Sequence, residues 1–245
     1  MDTRTVFENN RDAYQDLYRK SKLFVRYPMD HVSRFHAYYL RTNLPHGRVL
    51  DYGCGSGNNS ALFIQQGYDV YGIDVAEAAL DQIRANLEMF SLDKKHLKNF
   101  QIISPDVATL PFENGFFDLI LSNQVLYYLG TEERIRSLCR ELGRCLKPGG
   151  LVFFTMLGAR NYYFTHHTKQ IHRGETCEVV IEDPSHRLYG LKELIYVVRD
   201  EEHLRRLFSD FECINTGYFD MSMFDMKSSF HWIFVGRKRN SHTKE

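Results

Sequence analysis

The stretch VLDYGCGSGNNS, residues 49–60, decides the fold of this 245-residue chain. The residues over 48–52 read as a short strand, and those over 58–66 read as a helix. Gly53, Gly55 and Gly57 fall in the turn between the two. A residue without a Cβ takes positive φ freely and lets the backbone pass close to a ligand. The helix N-terminus that follows offers unpaired N–H groups to polar ligand atoms. The same glycine spacing also serves where a helix merely packs on a sheet, so the flanking pattern has to decide.

Working outward, strands and helices alternate. A strand is expected over 69–73. A helix follows over 76–90, with Ala79, Leu80, Ile83, Leu87 and Phe90 near helical spacing. Residues 100–104 and the run FDLILS at 117–122 read as further strands. Thr131 suits the cap of a helix reaching Leu146, with Glu132 and Glu133 in its first turn. Pro148-Gly149-Gly150 should stop that helix and lead into a strand over 151–156. Short apolar strands separated by helices imply a parallel sheet covered on both faces.

Upstream, residues 11–22 and 29–40 look helical, broken by Tyr27-Pro28. Downstream, residues 158–198 are polar, aromatic and rich in histidine, without a clear period. A capped helix over 200–208 and strands over 211–217 and 230–236 close the pattern. The expected organisation is one domain. Its parts are an N-terminal helical arm (1–45), a cofactor-binding core (46–157), a substrate-cap insert (158–198) and a C-terminal helix with strands (199–237).

Three acids give the glycine turn a chemical setting. Asp74 lies 17 residues beyond Gly57, at the end of the second strand. A carboxylate there can accept from both hydroxyls of a ribose; otherwise it is a solvated strand-end acid. Asp106, in SPDVATLPF, can accept from an adenine amino group or close an Asx turn. Asp51, two residues before Gly53, sets the loop apart from the usual dinucleotide pattern. Asn58 stands where G-x-G-x-x-G needs its last glycine, which weighs against a nicotinamide-dependent oxidoreductase.

In this order and spacing, residues 49–156, and more loosely the chain to 236, resemble the class I S-adenosylmethionine-dependent methyltransferases. The resemblance implies an α/β, Rossmann-like, doubly wound fold. Its seven-stranded sheet would be mostly parallel, with an antiparallel last strand. It implies S-adenosylmethionine as cofactor. Asp51, Gly53, Cys54 and Gly55 would line its methionine portion, Asp74 would hold the ribose, and Val75 would lie against the adenine. Asp106 and Val107 would sit at the adenine edge, and Asn123 and Gln124 would flank cofactor and acceptor. LKPGG, residues 146–150, is another common feature of that family. In related enzymes an N-terminal arm folds over the donor, which implicates Tyr18 and Arg26 in closure; packing of an amphipathic helix accounts for Tyr14. The insert would cap the pocket, with Tyr162, Tyr163, His166, His167, His172 and His186 in it. His166 and His167 are the candidate bases, since histidine titrates near neutral pH. Alternatively these are surface histidines of a loop.

The donor sulfonium is already activated, so the protein's main task is in-line alignment, and a base is needed only for an acceptor that must lose a proton. The end of the fourth strand, SNQVLYYL, lacks the Asn/Asp-Pro-Pro-aromatic motif of enzymes that methylate nucleic-acid amino groups. Lys+Arg and Asp+Glu both number 31, so the chain has no basic surplus for phosphate binding. Together these point to a small-molecule O or N acceptor rather than nucleic acid. RNA or protein methylation, or a non-catalytic S-adenosylmethionine-binding regulatory module, are the alternatives. Tyr127 and Tyr128 either wall the acceptor or fill the core. Five cysteines form no C-x-x-C pair, and the histidines match no standard ligand spacing, so no metal is expected. The longest apolar run, near 151–156, is too short for a membrane. Residues 1–15 carry no apolar h-region, and a cytoplasmic location is the expectation.

Overall fold

The computed structural model describes residues 11–12, 14–16, 18–19, 27–104, 107–165, 168–184, 189–190, 192–222 and 228–240. Seven strands form the central sheet: β1 (Arg48–Tyr52), β2 (Asp69–Asp74), β3 (Phe100–Ile102), β4 (Phe117–Ser122), β5 (Leu146–Leu157), β9 (Glu212–Phe219) and β10 (His231–Arg237). Their order is β3-β2-β1-β4-β5-β10-β9. The first five run parallel, while β10 lies antiparallel to both β5 and β9. The strand order reverses beside β1, and the crevice outside the C-terminal strand ends at that point is where such sheets bind ligands.

Successive strand residues face opposite sides. Leu50, Ile120 and Phe154 enter one core; their neighbours Val49, Leu119, Leu121 and Phe153 enter the other. The second core is covered by α1 (Asp30–Phe35), α2 (Asn58–Gln65) and α3 (Ala78–Met89). The first is covered by α4 (Glu132–Cys145) and α6 (Glu201–Leu207). In α4, Ile135, Cys139, Leu142 and Cys145 make the buried stripe. Thr131 and Asp200 cap α4 and α6, their side chains accepting from the N–H groups of Arg134 and His203.

Two regions differ from the sequence expectation. The helix expected over 29–40 is α1 followed by a π-helical stretch, His36–Leu40. Residues 146–150 belong to β5: α4 stops at Cys145, and the strand runs straight through Pro148-Gly149-Gly150. The β4–β5 register slips between Phe117 and Leu119, so the proline sits at an irregular strand start, where its missing N–H breaks no ladder.

The segment without a clear period is not irregular. After α5 (Tyr162–Thr165) come β6 (Thr168–Arg173), β7 (Thr176–Ile181) and β8 (Lys192–Tyr196), forming a separate three-stranded antiparallel sheet. Strand β7 does alternate, with Cys177, Val179 and Ile181 buried. The segment leaves and returns at one place, marked by the Gly158–Val198 bridge. Tyr196 ties it to the main body, its hydroxyl 2.7 Å from His203 Nε2 and 3.0 Å from Glu132 Oε2.

Candidate functional site

At the C-terminal end of β1 the backbone turns through Gly53, Gly55 and Gly57, with φ of 73°, 52° and 76°. A Cβ on Gly53 would lie 2.4 Å from the Val125 side chain. The loop therefore demands glycine twice over, by conformation and by space. Its backbone is pinned on both sides. Gly53 and Cys54 donate to the Ile73 carbonyl on β2. From α3, the buried Asn86 amide donates to Ser56 O at 2.7 Å and to Asn58 Oδ1 at 2.6 Å. Sequence reasoning missed Asn86, because its partners lie about one helix-and-strand unit away.

Two carboxylates stand beneath this loop. Asp74 accepts from Gly55 N at 2.8 Å, Val75 N at 2.8 Å and Ala76 N at 3.0 Å. Burial raises its pKa, and these three N–H bonds oppose the rise. Asp51 is 2% exposed and accepts from Ser60 Oγ at 2.6 Å. Burial, opposed by that bond and reinforced by the Asp74 charge, pushes it up to about 6. Cys54 is buried and its thiol is pushed well up, so it acts as an apolar wall. Val75 is half-buried and Val107 is exposed. Asp106, Arg26, His166 and His167 lie outside the described residues.

Beyond β4 the chain enters a strained turn. Gln124 has φ of 61°, a conformation rare for a residue with a side chain, and its N–H is held by Thr155 Oγ1 at 2.7 Å. Its neighbour Asn123 accepts from His31 on α1, at 2.7 Å. Strain of this kind concentrates where a site must be held in one geometry.

The helical residues around 11–19 lie across the loop. The Tyr18 hydroxyl is 2.8 Å from where a Gly55 Cβ would stand, and the Tyr18 ring packs with Ala76, Ala78 and Ala79. Gln15 Oε1 accepts from Ala78 N at 3.0 Å, fixing this segment to the start of α3.

From Asn123 a continuous run of rings returns to the loop. His31 stacks on Phe219 at 3.9 Å, Phe219 on His231 at 5.0 Å, and His231 approaches Tyr127 at 5.7 Å. Tyr127 meets Tyr128 at 4.4 Å, and the Tyr14 hydroxyl donates to that of Tyr128 at 2.6 Å. Tyr14 then meets Tyr18, above Gly55. On β8, Glu193 is fully buried, cross-strand from Val179, at a position where the alternation calls for an apolar side chain. Tyr14, Tyr128 and Tyr163 are pushed well above the ordinary phenol value, first by burial and next by the Glu193 charge. Sequence reasoning missed Glu193, His31 and His231. A charged residue in step with a buried alternation is the signal that could have found Glu193.

Among the described residues, no group of three His, Cys, Asp or Glu side chains is arranged to hold a metal ion. No described helix is long and apolar enough to cross a membrane.

Comparison with known proteins adds a family to this geometry. Residues 50–154 match the model of a methyltransferase domain. The chain is 34% identical over 117 residues to a ubiquinone biosynthesis O-methyltransferase of Azoarcus sp., covering 47% of this chain and 46% of that protein. It is 29% identical over 113 residues to a malonyl-[acyl-carrier protein] O-methyltransferase of Legionella pneumophila, covering 45% and 36%. The matched stretch thus spans less than half the length of these curated relatives. Among solved structures, the fold resembles a Burkholderia thailandensis 1,6-didemethyltoxoflavin-N1-methyltransferase with bound S-adenosylhomocysteine. The TM-score is 0.68 at 15% identity, covering 98% of this chain and 92% of that one.

Proposed function

We propose that this chain, whose residues 50–154 match a methyltransferase domain, is a class I S-adenosylmethionine-dependent methyltransferase that transfers a methyl group from that cofactor to a small-molecule O or N acceptor. The observation that carries the reading is the Gly53–Gly55 turn, side-chain-free and positive in φ, with the Asp74 carboxylate against Gly55 N. The cradle fits the cofactor: bare backbone where the methionine end would lie, and an acid where a ribose would offer two hydroxyls. Bound there, S-adenosylmethionine supplies an activated methyl group on a sulfonium.

The residues divide the work. Asp51, Gly53, Cys54 and Gly55 line the methionine portion. Asp74 takes a ribose hydroxyl through the lone pair that its three backbone donors leave open. Val75 and Val107 border the adenine. Asn123 and Gln124 hold the reacting end in line, positioned by His31 and Thr155. Tyr18 closes over the donor, and the aromatic faces of Tyr14 and Tyr18 suit a cationic sulfonium. Residues 158–198 cap the acceptor side, where Tyr127, Tyr128 and Tyr163 form a wall. The O-methyltransferase names of the two relatives support an oxygen acceptor, and the N1-methyltransferase name of the structural neighbour supports a nitrogen one.

Thermal-shift titration tests the reading, since a ligand bound by the native state raises its apparent stability. S-adenosylmethionine and S-adenosylhomocysteine should raise the melting temperature and NAD should not. A shift with NAD alone would reject the assignment.

A further inference from the structure

His231 is the first residue of β10 and pairs with Leu157 at the end of β5 and with Phe219 on β9. That register puts it at the sheet edge where the parallel strands end, the same edge as the glycine turn. It is 3% exposed. Its Nδ1 lies 2.9 Å from the Ser229 carbonyl oxygen. A carbonyl can only accept, so Nδ1 carries the proton and Nε2 presents a bare lone pair. That Nε2 is buried and has no hydrogen-bond partner among the described residues. A buried acceptor without a partner is costly, and such a group calls for a reason. Flat rings border it, Phe219 parallel at 5.0 Å and Tyr127 tilted at 5.7 Å.

We propose that His231 Nε2 accepts the hydrogen bond, and then the proton, of a hydroxyl group on a flat aromatic methyl acceptor seated beside Tyr127 and Phe219. This rests on the methyltransferase reading above and names the acceptor class and the base for that site. The acceptor oxygen's electron pair forms the bond to the methyl carbon, and the S–CH3 bond breaks with its electrons left on sulfur. The O–H proton passes to Nε2 and leaves to water as the site opens.

The weak basicity of this imidazole selects oxygen. Burial, opposed by the Ser229 bond and reinforced by the charge of His31, lowers its pKa to about 4. A methylating hydroxyl becomes a very strong acid as the O–C bond forms, so even a weak base takes its proton during the step. A methylating amine can shed its proton to water after transfer, so it has no need of this imidazole.

Catechol and 1,2-diaminobenzene, matched in shape, serve as probes of the full chain saturated with S-adenosylhomocysteine. Calorimetry should show catechol binding at least tenfold tighter than the diamine, and His231→Phe should erase that preference while S-adenosylhomocysteine still binds. In wild type, the His231 Nε2 resonance in 15N NMR should move on adding catechol, a readout that does not depend on the variant folding. With S-adenosylmethionine, methyl transfer to catechol should fall about 100-fold in His231→Phe. Equal binding of both probes, an unmoved Nε2 resonance, or unchanged transfer in the variant overturns the proposal. Failure of wild type to bind S-adenosylhomocysteine instead overturns the methyltransferase reading beneath it.

Discussion

The proposed donor side and the proposed acceptor side of this site are built by opposite means. Around Gly53–Gly57 the proposed ligand surface is backbone, set by strand, turn and helix within a dozen consecutive residues and tied by Asp74 and Asn86. On the proposed acceptor side, His31, Tyr127, Glu193, Phe219 and His231 come from five distant elements and pack through side chains rather than backbone. A backbone site tolerates little change but recognises one ligand. A side-chain site leaves its acceptor to be set by a few substitutions on an unchanged frame.

The largest expected effect comes from breaking the backbone side. Gly53→Val forces a branched side chain into positive φ and into Val125, a strain of about 2–3 kcal/mol or more. S-adenosylhomocysteine affinity should fall at least about 100-fold by calorimetry, whereas His231→Phe should leave it intact. Equal losses in the two variants would erase the distinction between the sides.

The side-chain half should reveal itself in acid. His231 is held to about 4 when folded, below its ordinary value of 6.5, so the unfolded chain takes up its proton first. Its contribution, about 3 kcal/mol, is present above pH 6.5 and is lost as pH falls toward 4. His31, lowered mainly by burial, adds in the same direction. Asp51, raised to about 6, acts oppositely by favouring the folded state in acid. Chemical denaturation at pH 7 and pH 4 should therefore show a smaller acid loss in His231→Phe than in wild type. An unchanged loss would place this imidazole in water.

A smaller effect should come from the contact that joins the two sides. Tyr14→Phe removes the hydroxyl that donates to Tyr128. The cost is about 1 kcal/mol, or a fall of roughly 2–4 °C in melting temperature. No fall would detach the segment around Tyr14 from the acceptor wall.

The same contrast explains what could be read in advance. The parallel core was legible because Val49, Leu119 and Phe153 lie in short apolar runs, and because glycines at 53, 55 and 57 mark a turn without tertiary help. Pro148 suggested a break, yet the strand passes through it where the register slips. The sheet over 168–196 stayed hidden although β7 alternates, because Glu193 puts a charge on its buried face. Nothing local marks His31 and His231, which are brought within one stack of rings by β9 and β10. His166 and His167, the candidate bases of the sequence, lie outside the described residues, whereas the burial and unpartnered Nε2 of His231 depend on the whole fold.

Calorimetric titration of S-adenosylhomocysteine into wild type and Asp74→Ala tests the donor cradle most directly. Wild type should bind one equivalent, and Asp74→Ala, which loses the acid facing Gly55 N, should bind at least about 100-fold more weakly. Absence of binding to wild type, or full affinity in Asp74→Ala, would contradict a cofactor held between bare backbone and that carboxylate.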